Sequence, residues 1–297
     1  MHAADQQVLK QVHAWLKADE PCWLATVART WGSSPRPVGS LLTCNASGQL
    51  VGSLSGGCVE EDLLEKLTRG ELASEHAQYF QYGVTDEESE RLGLPCGGHL
   101  YIVVEPLQPT TQYQAHFAHI QQCLDVRQCV QRTVDLNNRT FSTNDVDDYQ
   151  DLSYDEDSGV LTHTYGPRYQ LFIIGSGMVS AYVAEMAQAL DYQITVCDPR
   201  DQSLADFDVA GVKKVNDMPD DAIREHATDV QSAIIALTHD PRIDDMGLME
   251  ALKTDAFYVG AMGSTRTSAS RRERLKALDL TDAEIDRLHA PIGLPIG

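Results

Sequence analysis

The stretch YQLFIIGSGMVSAYVAEMAQALDYQITVCDPR, residues 169–200, constrains this chain more than any other. It reads as strand, glycine turn, helix, strand. AGVKKVN, SAIIALTHD and AFYVGAMG follow as further short apolar strands, separated by helical patterns. That alternation predicts a parallel sheet covered by helices.

Gly175 and Gly177 sit between the first strand and its helix, where a dinucleotide fingerprint begins. Ser180 takes the third fingerprint position. Asp198 lies where a ribose-binding acid is expected, about 20 residues on. The second half is therefore read as a Rossmann-like, doubly wound parallel-sheet domain, residues 167–297. NAD(P) binding, and with it an NAD(P)-dependent oxidoreductase using the first half as substrate domain, is one reading. The other is a fold that binds something else or nothing. His239 and Asp240 end a later strand and either line the crevice of the sheet or cap it.

The first half mixes strands and helices without a regular βαβ rhythm, so it is read as α+β, residues 1–135. VLKQVHAWL has the apolar spacing of an amphipathic helix, CWLATVART of a buried strand, and LLTCNASGQLVGSL of a hairpin. Residues 136–166, rich in acids over NDVDDYQDLSYDEDSG, are expected to be a solvated connector. The net charge of −21 argues against nucleic acid and against an anionic membrane surface. No apolar run approaches the ~20 residues of a membrane span, and no signal peptide is read at the N-terminus. Seven cysteines without a C-x-x-C pair suggest reduced thiols in the cytoplasm. No P-loop, Ser-His-Asp order or metal-ligand helix is read.

GSLSGGCVEEDLLEKL, residues 52–67, places Cys58 after Gly56-Gly57 and at the start of a helix. Such glycines leave backbone N–H groups able to approach a ligand, and a helix N-terminus favours a thiolate. Cys58 is then a nucleophile, a sulfur relay or a metal ligand; the alternative is a tight turn with a packed thiol. LPCGGHL repeats the theme with Cys96 before Gly97 and Gly98. Two such loops, if they converge, make a cleft with two thiols. Arg36, between two prolines in GSSPRPVGS, suits a phosphate or carboxylate, or is an ordinary surface turn.

Taken together, GSSPRPVGSLL, GSLSGGCVEEDL, LPCGGHLYIVVEPL, LTHDPRIDD, YVGAMGSTRTSASRRERL and HAPIGLPIG resemble the XdhC/CoxI family, the xanthine dehydrogenase accessory factors. The resemblance implies a chaperone, not part of the mature enzyme, that binds the molybdenum cofactor, molybdopterin or its nucleotide form. It implies protection of that cofactor while a cysteine desulfurase supplies sulfur, then delivery to a molybdenum hydroxylase. On this reading Ser55, Gly56, Gly57, Cys58, Cys96, Gly97, Gly98 and Arg36 hold the cofactor, with Cys58 on the metal and Arg36 on the phosphate. A cytoplasmic homodimer is expected. Many relatives carry histidine where this chain has Met178, which together with Ser180 weakens the NAD(P) reading. Relatives of that family usually continue beyond GLPIG into one more helix.

Overall fold

In the computed structural model the chain falls into two units, Met1–Pro167 and Arg168–Gly297. All residues are described except 33, 35, 84, 86–97 and 295–297.

The first unit opens with helix α1 (Ala3–Lys17), whose Val8, Leu9, Val12, Trp15 and Leu16 form one buried stripe. Strands β1 (Cys22–Trp31), β2 (Leu41–Asn45) and β3 (Leu50–Gly52) precede helix α2 (Cys58–Thr68). Strands β4 (Gln78–Tyr82) and β5 (His99–Leu107) complete a five-stranded sheet in the order β3-β2-β1-β5-β4. Neighbouring strands in it run antiparallel. Alternation along each strand decides which face a side chain serves. Ala25, Val27, Leu42, Ile102 and Val104 meet Val59, Leu63 and Leu67 of α2. Each of those three helix residues contributes roughly 1.5–3 kcal/mol by leaving water. Leu24, Leu41 and Leu107 join the cluster of α1 and of helix α3 (Thr111–Asp125).

The segment expected to be a connector is structured. Strands β6 (Cys129–Asp135), β7 (Thr140–Val146), β8 (Ser153–Asp155) and β9 (Val160–Tyr165) form a second antiparallel sheet, ordered β7-β6-β9-β8, within the first unit. Its acids mislead because they lie on solvated positions of β7 and its loop. Phe141, Tyr154 and Leu161 pack inward beneath them. A buried ion pair ties the two sheets. Arg132 on β6 donates to both Glu105 oxygens on β5, at 2.7 and 2.9 Å, and through Nε to His116 at 2.8 Å. Burial, then the adjacent guanidinium, pushes His116 down to about 3, so a neutral ring accepts that bond.

The second unit alternates strand and helix: β10 (Gln170–Ile174), α4 (Met178–Ala189), β11 (Gln193–Cys197), α5 (Asp201–Ala205), β12 (Lys213–Val215), α6 (Pro219–His226), β13 (Ser232–Ala236), α7 (Pro241–Ala251), β14 (Tyr258–Ala261), α8 (Thr265–Ala277), α9 (Asp282–Asp286) and β15 (Leu288–His289). All pairings are parallel, in the order β12-β11-β10-β13-β14-β15. Counted from β10 this is the Rossmann order, with its switch point between β10 and β13. Phe172 and Ile174 face helices α6 and α7, while Leu171 and Ile173 face α4. Among the described residues no helix is long and apolar enough to cross a membrane.

Candidate functional site

Cys58 is the first residue of α2 and is exposed. The loop before it is shaped by a residue that the sequence motifs do not single out. Glu60, the third helical residue, folds back under the loop. Its Oε1 accepts from the N–H groups of Leu54 (2.8 Å), Ser55 (2.8 Å) and Gly56 (2.9 Å) and from the Ser53 hydroxyl (2.8 Å). Its Oε2 accepts from the Gly57 N–H and the Ser55 hydroxyl, each at 2.9 Å. Burial alone would raise this carboxyl; the backbone donors outweigh burial and hold it at about 2. The reach from Glu60 to Gly57 is the carboxylate half of a capping box, which Gly57 cannot reciprocate. Gly56 is required here, because its φ of +91° favours glycine.

This corrects one expectation. The N–H groups of Ser55, Gly56 and Gly57 are not open to a ligand, since the chain's own carboxylate occupies them. By helix geometry the remaining donors at the helix start are those of Cys58 and Val59. The loop is thus fixed from below by Glu60 and presents a thiol outward. In sequence the signal was the spacing Gly57 to Glu60, that of a capping glutamate.

Arg36 is also engaged: its Nη2 stands 3.5 Å from Asp5 Oδ1, and Asp5 accepts in addition from the Leu41 N–H at 2.9 Å. The guanidinium serves α1 and the start of β2 before it serves any ligand. Cys96 and Gly97 lie outside the described residues. Gly98 precedes β5 and closely approaches Gly32, where an added Cβ would stand 3.3 Å from the Gly98 Cα. The loop leaving β1 and the turn entering β5 are therefore brought together.

In the second unit Gly175 has φ +102°, and an added Cβ would stand 2.6 Å from Thr238 Cγ2 across the switch point. Only glycine lets β10 and β13 end so close together. Gly177 is the N-cap of α4, with open space at its Cβ position. Ser180 is wholly buried, which accounts for a small residue at the third fingerprint position. Met178 is exposed. Asp198 departs from its expected role. It is fully buried, and its two oxygens accept from the Ser176 N–H and hydroxyl and from the Arg200 N–H, Nε and Nη2. Burial opposes ionisation, yet those donors hold it at about 2. As placed it has no acceptor left for a ribose hydroxyl. It fixes the glycine turn from beneath, as Glu60 fixes its loop.

The later motifs are also structural. Asp240 caps α7, accepting from the Arg242 N–H at 3.0 Å. Asp244 accepts from the Thr238 N–H and hydroxyl, and buried Arg271 donates to Asp244, Asp245 and the Met262 carbonyl. LTHDPRIDD and YVGAMGSTRTSASRRERL are thereby stitched into one buried cluster. A metal-type arrangement that sequence patterns did not suggest occurs on α3: His119 and Cys123, four residues apart, meet Asp145 of β7. The four-residue spacing of His119 and Cys123 is the sequence signal for it, which overturns the reading of no metal-ligand helix; the strand partner carries no such signal.

Residues 15–83 match the family model described as "XdhC and CoxI family", and residues 171–297 the one described as "XdhC Rossmann domain". A Bacillus subtilis (strain 168) protein, named as a probable xanthine dehydrogenase subunit, is 22% identical over 306 residues, covering 96% of this chain and 90% of that protein. "Molybdenum cofactor insertion chaperone PaoD" of Escherichia coli (strain K12) is 24% identical over 279 residues, covering 91% and 76%. A crystal structure described as a xanthine dehydrogenase from Bacillus halodurans superposes with a TM-score of 0.69 at 23% identity, covering 97% of this chain and 89% of that one. At that identity the likeness concerns the fold.

Proposed function

This chain belongs to the XdhC and CoxI family, and from that premise we propose that it is a molybdenum-cofactor chaperone for a xanthine dehydrogenase-type hydroxylase. One observation carries the reading: an exposed thiol at a helix start, on a loop locked by Glu60, in a chain similar to a molybdenum cofactor insertion chaperone. The cofactor is cargo, a metal held by a pterin dithiolene with a phosphate tail. The Cys58 sulfur is a soft donor that approaches the metal without disturbing the core. The locked loop keeps that sulfur in one place, so little order is lost when cargo binds. Cys96, Gly97 and Gly98 support the same cargo from the second loop. Arg36 meets the phosphate, which then competes with Asp5 for the guanidinium. The cargo is held while a cysteine desulfurase supplies sulfur and is then passed to the client. The protein acts in the cytoplasm, as a homodimer.

The test is anaerobic co-purification from cells with an intact molybdenum pathway, followed by metal and pterin analysis. Stoichiometric molybdenum and pterin are expected. Protein carrying neither contradicts the proposal.

A second reading, an NAD(P)-dependent oxidoreductase, rests on the strand order and the Gly175–Gly177 turn. The saturated Asp198 weighs against it. Calorimetry with NADH and NADPH decides: no heat at millimolar concentration removes this reading.

A further inference from the structure

We propose that His119, Cys123 and Asp145 bind one divalent, borderline-soft cation, zinc foremost. The three donors come from two elements that the fold brings together. His119 and Cys123 lie one turn apart on the same face of α3. Asp145 sits on β7, paired with Val130 of β6. His119 Nε2 is 2.9 Å from Asp145 Oδ1, and Cys123 Sγ is 3.7 Å from that nitrogen and 3.6 Å from that oxygen.

Those edges outline one face of a zinc tetrahedron. Bonds of about 2.3 Å to sulfur and about 2.0–2.2 Å to nitrogen and oxygen place the ligand atoms about 3.3–3.6 Å apart. The ion enters with shifts of a few tenths of an ångström. An ordinary surface ion pair of His119 and Asp145 would not require a sulfur turned toward both partners. The donor set also selects the ion. Thiol and imidazole suit zinc or cobalt; magnesium and calcium prefer oxygen alone. Cys123 is buried, His119 half-buried and Asp145 exposed, so the fourth coordination position opens to solvent. The ion would clamp α3 to an edge strand of the second sheet. This site is separate from the Cys58 loop in sequence and element, and its test does not depend on the cargo.

The experiment is a cobalt(II) titration of the reduced, metal-free full chain, read by absorption, with zinc as competitor. One equivalent is expected to give a near-ultraviolet thiolate-to-cobalt band and visible bands of tetrahedral intensity, both lost on adding zinc. Zinc at a hundredfold excess over its Kd is expected to raise Tm by about 5 °C. Cys58→Ser keeps the band and Cys123→Ser loses it. Asp145→Asn, on an exposed strand position where folding is not at stake, weakens cobalt binding at least tenfold. The proposal is overturned by absence of the band, by its survival in Cys123→Ser, or by unchanged affinity in Asp145→Asn.

Discussion

Glu60 arranges the surroundings of Cys58 before any ligand arrives, and the two residues separate stability from function. Cys58 is exposed, so Cys58→Ala is expected to change stability by no more than about 0.5 kcal/mol. Glu60→Gln removes the charge that four backbone N–H groups and two hydroxyls share, and turns one of the two acceptor oxygens into an NH2 that faces donors. A cost of about 2–3 kcal/mol is expected from denaturant unfolding near neutral pH. The pH dependence follows from the same bonds. Glu60 is held at about 2 against an ordinary 4.5, so between those values the unfolded chain binds more protons than the folded one. Its contribution is complete above about pH 4.5 and is lost as pH falls toward 2. Glu60→Gln should therefore flatten the acid limb of stability. An unchanged limb would mean the carboxylate is not held as the structure shows.

At the scale of elements, the turn between β10 and α4 makes a sharp contrast. Gly175→Ala combines positive φ with a clash against Thr238, whereas Gly177→Ala meets open space at a negative φ. The first is expected to destabilise by about 3 kcal/mol and the second by less than about 1 kcal/mol, measured by thermal unfolding. The buried pair between β5 and β6 gives another. Arg132→Met leaves Glu105 buried and uncompensated, at an expected cost of about 3–5 kcal/mol. Replacing Glu105 by Leu in addition should recover much of that loss, because both desolvation costs then vanish. Recovery absent in the double variant would show that the pair does more than neutralise itself.

Across the whole molecule, periodicity made the elements legible and long-range pairing stayed hidden. The Val8–Leu16 stripe, the α2 stripe and the strand–helix alternation after residue 169 each announce their partners locally, and the structure follows them. Beyond residue 135 the second sheet stays hidden because its acids sit on solvated positions while its few inward residues are spread between loops. At the candidate sites the turn-forming glycines and the exposed thiol were readable. Of the carboxylates that fill the turns, Glu60 stands out in no motif and Asp198 stands where a ligand acceptor is expected. Only three-dimensional closure reveals that each is spent on its own loop. Soft-metal chemistry at Cys58 is the centre of the function proposed here. That centre is tested most directly by titrating purified molybdenum cofactor, without oxygen, into the natural protein and into Cys58→Ala. One bound equivalent, at least tenfold weaker in the variant and with poorer activation of the client hydroxylase, is the predicted result. Equal affinity and equal activation would contradict it.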